Sequence, residues 1–282
     1  MKINVCIPTR NKAEYLPKFV PMGLEHSVLP DTRFVIGCDE DDETVLDSLA
    51  KLPKSDKIIV SRAPREDALG AKYNRVAAAY DADIYVMAVD DVGINTPGWD
   101  KLLVETSRLF TDGIGVIGFG VDPGCYVPQF LALTRRYVEL NGFFMPPYFP
   151  FWWHNTWTYE VSELTGRMLP CPIQIVYPQA LPPAPRRDIG FWAKFFDETR
   201  PLRAEVADRI MAETNDQPWF KHLQLKARPF VLDQQLKRGA VLRDPNFVLA
   251  VETQESLPEA LDERHKRLKE QAMDILLENK LP

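Results

Sequence analysis

Over its first 120 residues the chain alternates short apolar runs with amphipathic stretches, and few folds accept that rhythm. The runs are "KINVCIP", "TRFVIGCDE", "DKIIVSRA", "IYVMAVDD" and "GIGVIGFG". Helical patterns separate them. "TRNKAEYLPKFVPMGL" reads as a loop passing into a short helix, with Asn11 and Glu14 at capping-box spacing. "ETVLDSLAKL" carries Val45, Leu46, Leu49 and Leu52 as a helical stripe stopped by Pro53. "ALGAKYNRVAAAYDAD" places Leu69, Tyr73, Val76, Ala77 and Tyr80 at helical spacing, and "PGWDKLLVETSRLF" puts Trp99, Leu102, Leu103 and Thr106 on one side. Strands that alternate with helices predict a mostly parallel central sheet flanked by helices, an α/β fold.

After Gly120 the rhythm breaks. "QFLALT" reads as a strand and "RRYVELNG" as a short helix with Gly142 at its C′ position. The aromatic and proline-rich "FFMPPYFPFWWHN" follows, then the helix "TWTYEVSELTG" ended by Gly166, then a strand in "CPIQIVYP". Beyond about Asp188 the pattern is helical and charged. A terminal amphipathic helix is expected from about Leu257, with Leu261, Leu268, Met273, Ile275 and Leu276 as its apolar residues. That helix packs either on the domain or on a second subunit, which leaves a homo-oligomer open. The expected organisation is one unit over residues 1–187, with halves at about 1–120 and 121–187, and a mostly helical C-terminal extension over 188–282.

Composition narrows the function. A formal net charge of −6 argues against broad, sequence-independent nucleic-acid binding. No apolar run approaches the roughly 20 residues of a membrane span. Met1 leads straight into a strand, without the pattern of a signal peptide. Cys6, Cys38, Cys125 and Cys171 lie far apart, with no zinc-ligand spacing, and Cys6 and Cys38 fall inside apolar strands as small core residues. A reducing, cytoplasmic location is the expectation.

In open α/β sheets ligands gather at the carboxyl ends of the strands. Those ends carry Thr9, Arg10 and Asn11 after the first strand, Asp39 to Asp42 after the second, and Asp90 and Asp91 after the fourth. No GxGxxG follows the first strand and no GxxxxGK[ST] is present, which argues against a dinucleotide site and removes a P-loop. Acids at this rim suit a hard divalent cation, Mn²⁺ or Mg²⁺, held by one or two carboxylates and by substrate phosphates. Local sequence leaves a second possibility open, that Asp90 and Asp91 cap the turn before "GINTPGWD".

Four pieces, "VCIPTRNKAEYL", "VIGCDEDDET", "GAKYNRVAAAYDADIYVMAVDD" and "LTRRYVELNGFF" with the aromatic loop and helix after it, follow in an order that resembles the family 2 type glycosyltransferases of GT-A fold. The resemblance covers roughly residues 1 to 167. It implies a nucleotide-sugar donor, with a UDP-sugar as first expectation. Pro8, Thr9, Arg10 and Asn11 would line the nucleotide pocket, Asp39 would meet the base, Asp41 or Asp42 the ribose, and Lys72 or Asn74 the nucleotide or its phosphates. Asp91 would hold the metal, with Asp90 on the metal, the ribose or the sugar. For several of these a plainer role stands beside the implied one. Arg10 can be a solvated loop cation, Asp41 and Asp42 can cap the next helix, and Asn74 can satisfy backbone.

Two departures from the family pattern stand out. Its Asp-x-Asp motif is here Asp90-Asp91-Val92, with valine in place of the last carboxylate. Where inverting members place an acidic general base, this chain reads "WWHNTWTYE". His154 can serve as the base, since an imidazole ordinarily titrates near about 6.5, or ligate a metal, or simply pack among Trp152, Trp153 and Trp157; Glu160 is a second candidate for the base, and Asn155 can only hydrogen-bond a hydroxyl. Trp152, Trp153 and Trp157 can line an acceptor site or form a small core under the loop. The expected activity is metal-assisted, inverting transfer of a sugar to an acceptor hydroxyl on a saccharide or on a modified DNA base. The alternative is a GT-A-like binding module without catalysis. Arg186 and Arg187 can close over a diphosphate or be surface charge.

Overall fold

The computed structural model describes residues 1–11, 13–120, 128–150, 153–178, 188–215, 217–242 and 263–281. Nine strands and ten helices are formed among them. In chain order the first half runs β1 (Ile3–Pro8), a 3-10 turn (Ala13–Tyr15), α1 (Leu16–Glu25), β2 (Thr32–Asp39), α2 (Thr44–Ala50), β3 (Ile58–Ala63), α3 (Leu69–Ala78), β4 (Ile84–Met87), β5 (Gly93–Ile94), α4 (Trp99–Ser107) and β6 (Val116–Phe119). The second half runs β7 (Phe130–Thr134), α5 (Arg135–Asn141), α6 (His154–Leu164), β8 (Met168–Pro170), β9 (Ile175–Val176), α7 (Ile189–Glu198), α8 (Arg200–Ala212), α9 (Pro218–Leu242) and α10 (Glu263–Glu278).

Seven strands form the central sheet in the order β3-β2-β1-β4-β7-β6-β8. β1 pairs in parallel with both β2 and β4, Cys6 lying opposite Val35 on one side and Met87 on the other. β7 runs antiparallel between β4 and β6, and β8 returns parallel to β6. The mostly parallel sheet therefore matches the expectation, with β7 as its one reversed member. The strand expected in "CPIQIVYP" shrinks to Ile175–Val176, which pairs with β5 in a separate two-stranded ribbon. Pairing at the sheet edge goes instead to Met168–Pro170, a segment too short to show a period of its own.

Each apolar strand serves two cores because successive side chains face opposite sides. On one face Val5, Ile7, Phe34, Ile36 and Val86 pack with Leu16, Val20, Trp99 and Leu103 of α1 and α4. On the other, Cys6, Val35, Met87, Leu131 and Leu133 pack with Tyr73, Val76, Trp157 and Val161 of α3 and α6. That second core continues without a break into Trp192, Phe195, Val206, Ile210, Leu268 and Ile275, so the C-terminal helices share the apolar interior of the sheet unit. Cys6, Cys38 and Cys171 are buried, and burial pushes all three thiols up.

Two glycines set α3 close to its neighbours. A Cβ on Gly37 of β2 would lie 2.1 Å from Val76 Cγ2, and one on Gly70 would lie 2.0 Å from the carbonyl oxygen of Pro146. Buried Asn4 of β1 fastens the other end of α3, its Nδ2 donating to the carbonyls of Ala77 and Tyr80 at 3.1 Å each. The capping box expected at Asn11 and Glu14 does not form. Asn11 takes a left-handed φ of 58°, and α1 starts after the 3-10 turn with Tyr15 at its N-cap and no side-chain cap.

Glu163 faces a cleft with Gly166, Lys226 and Phe230, and burial pushes its carboxyl up to about 7. A raised acid favours the folded state while protonated, and that contribution is lost as pH rises from the unfolded value toward the folded one. Glu163→Gln should match the parent at pH 4.5 and exceed it by roughly 1–3 kcal/mol at pH 8. Urea denaturation midpoints at the two pH values measure this; equal midpoints at pH 8 would contradict it.

Candidate active site

The polar groups at the ends of β1, β2 and β4 converge. Thr9, just past β1, is buried and donates its hydroxyl to Asp90 Oδ2 at 2.7 Å. Lys72, reaching from α3, donates to the carbonyl of Thr9 at 3.4 Å and contacts Asp39. Asp39 is fully buried and also accepts from Arg10 Nη1 at 2.9 Å. Arg10 forks onto Asp41 at 2.7 and 3.2 Å, which raises the guanidinium and holds the Asp41 carboxyl below its usual range. A continuous polar chain thus runs from Asp41 through Arg10, Asp39, Lys72 and Thr9 to Asp90.

Asp42 serves the loop. Burial alone would raise it, but the hydroxyl of Thr44 and the amides of Asn11 and Thr44 bind its carboxylate and outweigh that push, so it titrates low. Its contact to the amide of Asn11 holds the β1 loop in its left-handed turn, while its bonds to Thr44 reach the first residue of α2, whose N-cap Glu43 has no side-chain cap. Asn74 likewise takes the plainer role. Its Oδ1 accepts from the amides of Phe144 and Met145 at 3.0 and 2.9 Å, and its Nδ2 donates to the carbonyl of Met145 at 2.9 Å. All three bonds tie α3 to the start of the aromatic loop.

Asp90 and Asp91 are each 9% exposed at the end of β4, and Val92 beside them is buried in the core. Among the described residues no cluster of three or more His, Cys, Asp or Glu side chains is placed to hold a metal. Two carboxylates nonetheless fit a hard divalent cation that takes its remaining ligands from phosphate oxygens and water. Thr9 engages one oxygen of Asp90.

The start of α6 packs on α3. Trp153 holds φ at 76°, a costly conformation for a bulky residue. From this turn His154 is directed inward, 7% exposed, with its ring centroid 5.5 Å from that of Tyr73. The Tyr73 hydroxyl donates to the carbonyl of Ala88 at 2.6 Å, so one ring links α6 to the end of β4. Burial pushes the Tyr73 phenol up, and the charges of Asp90 and Asp91 add to that push. In the sequence Tyr73 reads only as one member of a helical stripe, and nothing local marks it as a bridge.

Asn155 accepts from the amide of Thr156 at 2.9 Å, within the first turn of α6. Glu160 is bound to Arg203 Nε at 2.9 Å, Arg238 Nη2 at 2.5 Å and Gln235 Nε2 at 3.1 Å, with only 3% exposure. Its carboxylate is committed to the C-terminal helices, which argues against a role as the base. Trp157 is fully buried against Tyr148 and Phe149, so its ring belongs to the core rather than to an acceptor surface. Trp153 stacks on Phe196 with centroids 5.0 Å apart. Trp152, Arg186 and Arg187 lie outside the described residues.

No helix among the described residues is long and apolar enough to cross a membrane. No protein-family model matches the chain, and no curated protein matches it. Solved structures do. S. aureus TarS 1–349 in complex with UDP-GlcNAc superposes with a TM-score of 0.55 at 14% identity, covering 97% of this chain and 92% of that one. The same protein in complex with UDP gives 0.50 at 13% identity, over 99% and 92%. With its mostly parallel sheet, flanking helices and polar strand ends, the chain has the GT-A fold.

Proposed function

We propose that this protein is a glycosyltransferase that moves a sugar from a nucleoside-diphosphate sugar, a UDP-sugar first, to an acceptor hydroxyl. One observation carries the reading: Thr9, Asp39, Lys72 and Asp90 are linked at one rim of the sheet, and the His154 ring of α6 packs on Tyr73, whose phenol feels the charges of Asp90 and Asp91. The UDP and UDP-GlcNAc bound by the similarly folded TarS support the choice of donor.

In this reading Asp39, oriented by Arg10 and Lys72, meets the base. Asp91, with Asp90, holds Mn²⁺ or Mg²⁺. When bound, the cation neutralises charge on the leaving diphosphate. The acceptor oxygen forms its bond to the anomeric carbon as the bond from that carbon to the β-phosphate oxygen breaks. The nucleoside diphosphate leaves with the electron pair, and the acceptor proton passes to a ring nitrogen of His154. A single in-line displacement of this kind inverts the anomeric centre. The aromatic loop and Trp153 would border the acceptor, for which a saccharide or a modified DNA base both remain in the test.

Purified protein with UDP-, GDP-, dTDP- and CDP-sugars plus Mn²⁺ tests this. At least one should release nucleoside diphosphate, and that diphosphate should raise the melting temperature through its binding to the native state, worth about 2.7 kcal/mol at a hundred times Kd. No release and no stabilisation across the panel would overturn the reading.

A further inference from the structure

A cavity of about 110 Å³ lies beside the polar chain just described, and permanent cations dominate its wall. Arg10 comes from the β1 loop, Arg65 from the turn before α3, Lys72 from α3 and Arg264 from the first turn of α10. Arg10 and Lys72 are bound to Asp39 and Asp41, and the two acids on the wall are also paired. Glu66 is paired with Arg75, and Asp67 is held by both arms of Arg267 at 2.9 and 2.6 Å. Arg65 and Arg264 also border an adjoining cleft of about 510 Å³.

The backbone adds to the same field. Ala68 and Leu69, the N-cap and first residue of α3, line the cavity, and α3 has no side-chain cap at that end. The amides of a first helical turn without a capping side chain favour an anion, as the guanidinium groups do. The cavity is also linked to Asp90 through the polar chain. Lys72 on its wall binds the carbonyl of Thr9, and the hydroxyl of Thr9 binds Asp90.

Arg264 is presented by an anchored helix. Leu268, Ala272 and Ile275 bury one face of α10 in the core. Asp188 at the N-cap of α7 binds Lys269 Nζ at 2.8 Å and His265 Nε2 at 3.2 Å. A strand-end site in such a sheet would ordinarily be built by the strands and their loops. Here the last helix of the chain closes it.

We propose that Arg264 of the C-terminal helix, together with Arg65, binds the diphosphate of the donor. The inference rests on the donor reading above and adds that the C-terminal extension is part of the donor site. The cations would meet the phosphates on the side away from Asp90 and Asp91, so two carboxylates and no third suffice on the other side.

The test compares nucleoside diphosphates with their monophosphates. UDP, GDP, ADP, CDP and dTDP are titrated calorimetrically into the full-length protein, and the tightest is carried forward with its monophosphate. Arg264→Ala should weaken the diphosphate by about ten- to a hundredfold and the monophosphate by much less, so that the preference for the second phosphate collapses. Arg65→Ala, on a separate element, should do the same, which keeps the outcome independent of any disturbance of α10. An unchanged ratio of the two affinities in both variants would overturn the inference while the donor reading stands. Absence of binding by the parent protein across all five diphosphates would overturn both.

Discussion

Asp91→Ala is expected to lower the Mn²⁺-dependent affinity for the tightest nucleoside diphosphate by about a hundredfold or more. Loss of groups that merely orient metal ligands already costs about 10–100-fold, and here one of only two carboxylates is removed. Val92 is buried and offers no oxygen in compensation, while Asp90 shares an oxygen with Thr9. Asp90 and Asp91 are each 9% exposed, and a melting curve of the variant that coincides with the parent's separates loss of the metal from loss of fold. The measurement is a pair of titrations, with Mn²⁺ and with EDTA. The variant should resemble the parent in EDTA and gain nothing from Mn²⁺. A full Mn²⁺ response in the variant would remove the acid pair as the metal site.

Much of this rim is legible in the sequence because parallel strands end where ligands gather, and a period of two or a continuous apolar run shows where each strand stops. Thr9, Asp39, Asp90 and Asp91 could be placed at one rim from that alone. Lys72 needed the resemblance, since its register on α3 decides whether it reaches β1. Legibility fails where the partner is remote. Asn74 is a polar residue on a helix facing the site, and its bonds to Phe144 and Met145 depend on the path of a proline-rich loop. Trp157 sits in a run of rings whose sequence gives no indication of which ring turns inward; helical phase buries it and leaves Trp153 at the margin. Arg264 is further still, on a helix whose stripe of Leu268, Ala272 and Ile275 announces an apolar contact but not its address.

Glu160→Gln should cost about 3–5 kcal/mol of stability, the usual consequence of stranding a buried charge. Glu160 and Arg203 are 3% and 0% exposed, and Arg203 is 43 residues further along the chain. Burial lowers the Arg203 guanidinium to about 10, and the neighbouring carboxylate is what keeps it charged there. Phe196 lies beneath both cations, 4.0 Å from Arg203 and 4.5 Å from Arg238, so the carboxylate is the sole negative charge hydrogen-bonded to either arginine among the described residues. A glutamine keeps the shape and one acceptor oxygen but removes the charge. For a chain of this size the loss corresponds to a melting temperature lower by roughly 10 °C. Glu160→Leu with Arg203→Met should recover most of it, because replacing a buried ion pair by packed apolar groups is often neutral, and Arg238, at 18% side-chain exposure, can turn toward water. This rescue separates a structural tie from a catalytic base. If Glu160 only clamps α6 to α8 and α9, the stable double variant regains transfer activity along with its melting temperature, since His154 is again held at the head of α6. If the double variant melts like the parent but transfers no sugar, the carboxylate takes part in the chemistry and the assignment of the proton to His154 falls.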